Sequence, residues 1–100
     1  MYVILTTKPG QFRTELNDDL RPVEAYDYLF CGTKKAHFVI AELLTGSTKV
    51  RIVEEGADTV NHVPSKFLPS FDTVGRAVEE LKRLTAFGQM DTALCRTDAC

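Results

Sequence analysis

Residues 23–54 read VEAYDYLFCGTKKAHFVIAELLTGSTKVRIVE, and this stretch decides the fold. From Val23 to Cys31 the even positions carry Tyr26, Tyr28 and Phe30. The odd positions carry Val23, Ala25, Leu29 and Cys31, interrupted by Asp27. Apolar and aromatic groups at both parities mark a strand with both faces partly covered. Gly32-Thr33-Lys34-Lys35 reads as a turn, and Ala36 to Leu44, with His37, Phe38, Val39, Ile40 and Leu43, as a second strand. After Thr45-Gly46-Ser47, Thr48 to Glu54 alternates, with Val50 and Ile52 on one face and Lys49, Arg51 and Val53 on the other. Loops this short join antiparallel neighbours, so the stretch predicts a three-stranded antiparallel meander.

On the N-terminal side, Tyr2 to Thr7 is a short apolar, β-branched strand. Phe12, Thr14 and Leu16 alternate with Gln11, Arg13 and Glu15, which predicts a hairpin around Lys8-Pro9-Gly10. Asn17-Asp18-Asp19 closes that second strand, because Asn and Asp bond locally to their own backbone.

On the C-terminal side, Gly56 to Asn61 reads as a polar loop. In Val63 to Phe71, Pro64 and Pro69 argue against a regular ladder, while Phe67, Leu68 and Phe71 need cover over a sheet edge or the mouth of the core. Asp72 is placed to cap a helix running to Phe87. Val74, Ala77, Val78, Leu81 and Leu84 form its apolar stripe; Glu79 and Arg83 stand one turn apart as a surface pair. Lys82 and Arg83 suit the C-terminal end of the helix dipole, and Gly88 is the expected stop. Met90 to Arg96 reads as a last strand and 98–100 as a frayed tail. The expected architecture is a single α+β domain over 1–97. It has a mainly antiparallel curled sheet of five or six strands, with one long helix in the C-terminal half packed on one face.

Composition sets the class. Apolar residues make up 44% and charged residues 26% of 100 residues, the balance of a folded globular domain rather than a disordered chain. A net charge of −2 with interspersed signs lacks the basic excess typical of duplex binding. Met1 to Leu5 has no positively charged lead-in, and no apolar run reaches a membrane span. Three cysteines, Cys31, Cys95 and Cys100, show no zinc or redox spacing, which points to a reduced, cytoplasmic setting.

The chemistry-bearing residues form no recognisable catalytic motif. Cys31, His37, His62, Cys95 and Cys100 lack the paired spacing of a structural zinc site, and Cys31 reads as a small core residue. No metal and no cofactor is expected. Ser65 and Ser70 have no His–acid motif, and the glycines no phosphate-loop pattern. Asp18-Asp19 and Glu54-Glu55 read as solvated charge. Asp27 and Glu42 each interrupt an apolar strand and, if buried, need a partner such as Lys34, Arg51 or His37.

Binding surface is the stronger signal. Lys34 and Lys35 share a turn, and Lys49 and Arg51 share a strand face expected beside His37 and Val39. The leading expectation is a small non-enzymatic accessory or regulatory domain. Lys34, Lys35, Lys49 and Arg51 would steer an acidic protein partner, and Phe67, Leu68 or Phe71 would anchor it. A second reading is a single-stranded nucleic-acid platform on which Tyr26, Tyr28 and Phe38 stack bases. A third is a small enzyme or ligand carrier with a pocket around Asp27, His37 and Glu42. The modest core is also compatible with a homodimer.

Overall fold

A computed structural model describes residues 1–46, 48–57 and 59–84 and the backbone of 92–97. The elements in chain order are β1 (Tyr2–Thr7), β2 (Phe12–Glu15), β3 (Leu20–Phe30), β4 (Thr33–Leu43), β5 (Lys49–Glu54) and β6 (Thr59–Pro64). A 3₁₀ turn (Ser65–Phe67), β7 (Ser70–Phe71), α1 (Val74–Leu84) and β8 (Thr92–Thr97) follow. The α+β class and the antiparallel pairing expected from sequence are present. The single curled sheet is not: the strands form a five-stranded sheet, β7-β1-β4-β3-β8, and a three-stranded sheet, β2-β5-β6.

The five-stranded sheet is the middle of three layers, because alternate residues on one strand face opposite ways. Val3 and Leu5 of β1, Leu20 of β3 and Ala41 of β4 meet Val50 of β5 in one buried cluster, with Val39, Leu43 and Leu68 against it. On the other face Ile4, Ile40 and Tyr26 meet Ala77 and Leu81 of α1, flanked by Tyr2, Phe38, Phe71, Val74 and Val78. Among the described residues Ile40, Leu81, Val3 and Val50 are the largest side chains fully removed from solvent. Each such burial is worth about 1.5–3 kcal/mol.

Pairing differs from the predicted meander where the chain changes sheets. β3 and β4 form the expected hairpin, but β5 pairs with β2 and β6 rather than β4. The predicted hairpin of β1 and β2 is cut to one bridge: Lys8 and Phe12 exchange backbone bonds of 2.9 and 3.0 Å, and the strands then part. Thr14 holds the divergence, its N–H donating to Thr7 Oγ1 at 3.1 Å and its hydroxyl to the Thr6 carbonyl. The Asn17 turn forms as expected, with the Asp19 N–H donating to Asn17 Oδ1 at 2.8 Å.

The hairpin of β3 and β4 turns at Cys31-Gly32, one position before the predicted turn. Both residues have positive φ, 51° and 78°, as a two-residue primed turn requires. Cys31 is therefore an exposed turn residue, not a core one. Pro22 is accommodated beside a register shift between Pro22 and Glu24, the usual place for proline in an inner strand.

Further expectations change beyond β5. The loop predicted over Gly56 to Asn61 gives way at Thr59 to β6, and the segment from Val63 contributes Val63 and Pro64 to that strand and Ser70-Phe71 to β7. Both strands lie at sheet edges, where a missing proline donor costs no ladder bond. The described helix has eleven residues, Val74–Leu84, and starts two residues after Asp72; the predicted end at Phe87 lies outside the described residues. Thr73 caps it rather than Asp72: Thr73 Oγ1 accepts the Arg76 N–H at 3.2 Å and the Thr73 carbonyl accepts the Ala77 N–H at 3.3 Å. Arg83 pairs with Glu80, not Glu79, and Leu84 at the end of the predicted stripe is half exposed. The expected last strand is present as Thr92–Thr97, whereas the stop at Gly88 and the tail at 98–100 lie outside the described residues.

Candidate functional site

The seven residues expected to bind a partner do not form one surface. Lys34 and Lys35 start β4 beside the Cys31-Gly32 turn. Lys49 starts β5 at the other end of the molecule, beside the turn that joins Asn17 to Leu20. Arg51 projects from the outer face of the three-stranded sheet, not beside His37 and Val39, because β5 and β4 belong to different sheets.

The cations also differ in how far neighbours neutralise them. Lys34 Nζ lies 3.2 Å from Asp27 Oδ1, and Arg51 Nε lies 3.3 Å from Glu15 Oε1. Arg13 shares the same Glu15 carboxylate through its Nε at 3.4 Å. Among the described residues no carboxylate stands within ion-pair distance of Lys49 or Lys35. Phe71 packs against the helix-side core and Leu68 against the core between the sheets. Phe67, by contrast, is 70% exposed.

The local backbone explains that exposure. Ser65, 4% exposed, is tied to the start of β5: its N–H donates to the Thr48 carbonyl at 2.7 Å, and its Oγ accepts the Thr48 N–H at 3.1 Å. The Leu68 N–H donates back to the Ser65 carbonyl at 3.0 Å and closes the 3₁₀ turn. With Ser65 and Leu68 turned inward, the turn directs Phe67 outward, and Lys66 Nζ sits 5.3 Å from its ring centroid in cation–π range. Thr48 in turn donates to Asp19 Oδ2 at 2.8 Å, and Asn17 Nδ2 donates to the Lys49 carbonyl at 3.0 Å. The same end carries the exposed Met1, Leu16 and Leu44. Phe67, Lys66 and Lys49 thus stand on one braced end of the sandwich. Lys66 was missed from sequence, although its position between Pro64 and Phe67 was a readable signal.

Asp27 and His37 do meet, as paired residues of β3 and β4: His37 Nδ1 lies 2.7 Å from Asp27 Oδ1. Partial burial pushes the Asp27 carboxyl up, but hydrogen bonds from His37 and Lys34 and their charges outweigh it, and the net direction is down. Glu42 is not part of this group. It is five residues further along β4, roughly 17 Å away, and pairs with Arg21. No shared pocket around Asp27, His37 and Glu42 forms among the described residues. An apolar groove of about 250 Å³ runs instead along β1 between Phe12, Phe38, Val50, Leu68 and Leu84. A second groove of about 330 Å³ lies by Lys8, Tyr28, Lys35 and Phe38.

The stacking platform is likewise altered. Tyr26 is 9% exposed beneath α1 and donates its hydroxyl to Glu24 Oε2 at 2.8 Å, so no base can stack on it. Among the described residues no group of three or more His, Cys, Asp or Glu is placed to hold a metal ion. No described helix is long and apolar enough to cross a membrane. The chain matches no protein-family model, no curated protein and no solved structure.

Proposed function

We propose that the chain is a small protein-binding domain, an accessory or regulatory part of a larger assembly, and that it engages its partner through the end bearing Phe67, Lys66 and Lys49. The observation that carries this reading is Phe67: a large aromatic ring, 70% exposed, on a turn fixed by Ser65 and Leu68. An aromatic side chain presented by a rigid turn loses little conformational entropy on binding, and such residues dominate interface energetics. Lys66 and Lys49 supply positive charge around it, which suits an apolar pocket edged by a carboxylate. Lys34, Lys35 and Arg51 stand away from this end and are not part of the proposed contact.

The test is a photo-crosslinking amino acid at position 67, followed by mass spectrometry of the adducts formed in cells. One dominant adduct is expected, at least about tenfold weaker when Lys49→Glu is added. In a binding assay with that adduct protein, Phe67→Ala is expected to weaken affinity by about 2 kcal/mol while leaving the thermal midpoint unchanged. A diffuse adduct pattern that is indifferent to Lys49→Glu would sink the proposal.

A further inference from the structure

The outer edge of the three-stranded sheet is the other unusual surface. β6 pairs with β5 on one side, and among the described residues no strand covers its other side. The phase of the ladder follows from one bond. The Ser65 N–H donates to the Thr48 carbonyl, and this pair continues the β5–β6 register one step past Lys49 and Pro64. Hydrogen-bonded pairs alternate along an antiparallel ladder. Val50–Val63, Ile52–Asn61 and Glu54–Thr59 therefore exchange backbone bonds. The N–H and C=O groups of Val60 and His62 point away from β5, into solvent. Pro64 falls on the same outward phase, where its missing donor leaves the ladder with β5 intact.

This edge lacks the usual protection. Thr59, Val60, Asn61 and His62 are all exposed, and β6 contains no Lys, Arg, Asp or Glu. Edge strands are normally guarded by charge, by proline, by shortness or by cover, and the one such guard on β6 is Pro64 at its C-terminal end, past the Val60–His62 segment. β7 is two residues long and β2 carries Arg13 and Glu15, so these two edge strands follow that rule where the Val60–His62 segment of β6 does not.

We infer that the edge of β6 pairs antiparallel with β6 of a second copy of this chain, about a two-fold axis at Asn61. The strand suits this occupant because its outward groups are self-complementary and its exposed side chains carry no Lys, Arg, Asp or Glu to oppose their own copies. In this register Val60 of one copy stands opposite His62 of the other, twice by symmetry. The four resulting bonds use every outward N–H and C=O of Val60 and His62 on both copies. A two-fold contact of this kind needs the same patch on each side, which an uncharged strand meets without like-charge repulsion. On the outer face Val60, 38% exposed, comes to lie beside His62 of the partner copy, and the two three-stranded sheets become one sheet of six. The Arg51–Glu15 pair stays two strands back from the seam. The contact is small, so the association is weak and reversible.

The test uses the full chain. Sedimentation equilibrium from about 10 μM to about 1 mM is expected to show a monomer–dimer equilibrium. Amide exchange by NMR reads the edge directly. Val60 and His62 are expected to gain protection as concentration rises, while Asn61 and Val63 are protected throughout by β5. Val60→Lys places the missing guard at an exposed position, and is expected to raise the dissociation constant at least about tenfold with an unchanged circular dichroism spectrum. A monomer over the whole range overturns the inference. So does a dimer in which the Val60 and His62 amides stay fast, or one that survives Val60→Lys.

Discussion

Asp27 shows how a single charged residue is accommodated in an apolar strand. His37 lies directly across from it and Lys34 reaches it from beyond the register shift. These contacts lower its pKa below the ordinary 3.8, so the folded state binds the carboxylate's proton less readily than the unfolded chain does. The stability they contribute is therefore complete above about pH 4 and is lost as pH falls through the lowered value. Because the site is partly exposed, the effect is about 1 kcal/mol or less. Asp27→Asn is expected to destabilise by about that amount at neutral pH, and its deficit relative to the parent should be smaller at about pH 3, below the ordinary 3.8. Urea unfolding at the two pH values measures this. A deficit that does not change with pH would show that the carboxylate's charge plays no part. The Asp27–His37–Lys34 group was foreseeable, since an acid within an apolar strand needs a cationic or hydrogen-bonding neighbour. Cys31 was misread for an equally physical reason. Its side chain is as apolar as a core residue, and its left-handed backbone leaves no trace in a hydrophobic pattern.

At the level of elements, α1 rests on one cap and one stripe. Thr73, not Asp72, accepts the orphan N–H of Arg76. Thr73→Ala is expected to cost about 1 kcal/mol in urea unfolding and Asp72→Ala markedly less; a reversed order would return the cap to Asp72. The adjacent residues have similar capping chemistry, so sequence could locate this helix start only to within a residue. Strands were easier to find than to pair. Alternation identified β2 and β5, and apolar, β-branched or aromatic runs bounded by turn residues identified β1, β3 and β4, because both patterns reflect which residues are buried along one strand. The choice of neighbour is a property of the whole chain. Thr48 to Glu54 pairs with a strand that precedes it by more than thirty residues, and nothing within its own alternation announces that. β6 was read in part as a loop, since Asn61, His62 and Pro64 are poor strand formers and an edge tolerates them. Of the anticipated anchors Phe67, Leu68 and Phe71, only Phe67 is largely exposed. That Leu68 and Phe71 turn inward depends on the 3₁₀ turn, which has no periodic signature.

At the scale of the molecule, β1 and β4 are shared by both cores. Val3, Leu5 and Ala41 serve the cluster between the sheets, while Ile4 and Ile40 serve the cluster under the helix. Most other strand neighbours are brought together from distant parts of the chain, β1 with β7 and β2 with β5 among them. The Cys31-Gly32 turn is different: it joins the longest pair of strands with two residues. Closing a short loop costs less entropy than closing a long one, so this hairpin is expected to close before the non-local strands find their partners. Gly32 has a φ of 78°, and Gly32→Ala is expected to lose about 1 kcal/mol. In stopped-flow experiments that loss should fall on the refolding rate and spare the unfolding rate. If unfolding accelerates instead, the hairpin closes after the rate-limiting barrier. The one left-handed cysteine in the described backbone thus sits at the tip whose closing that measurement times.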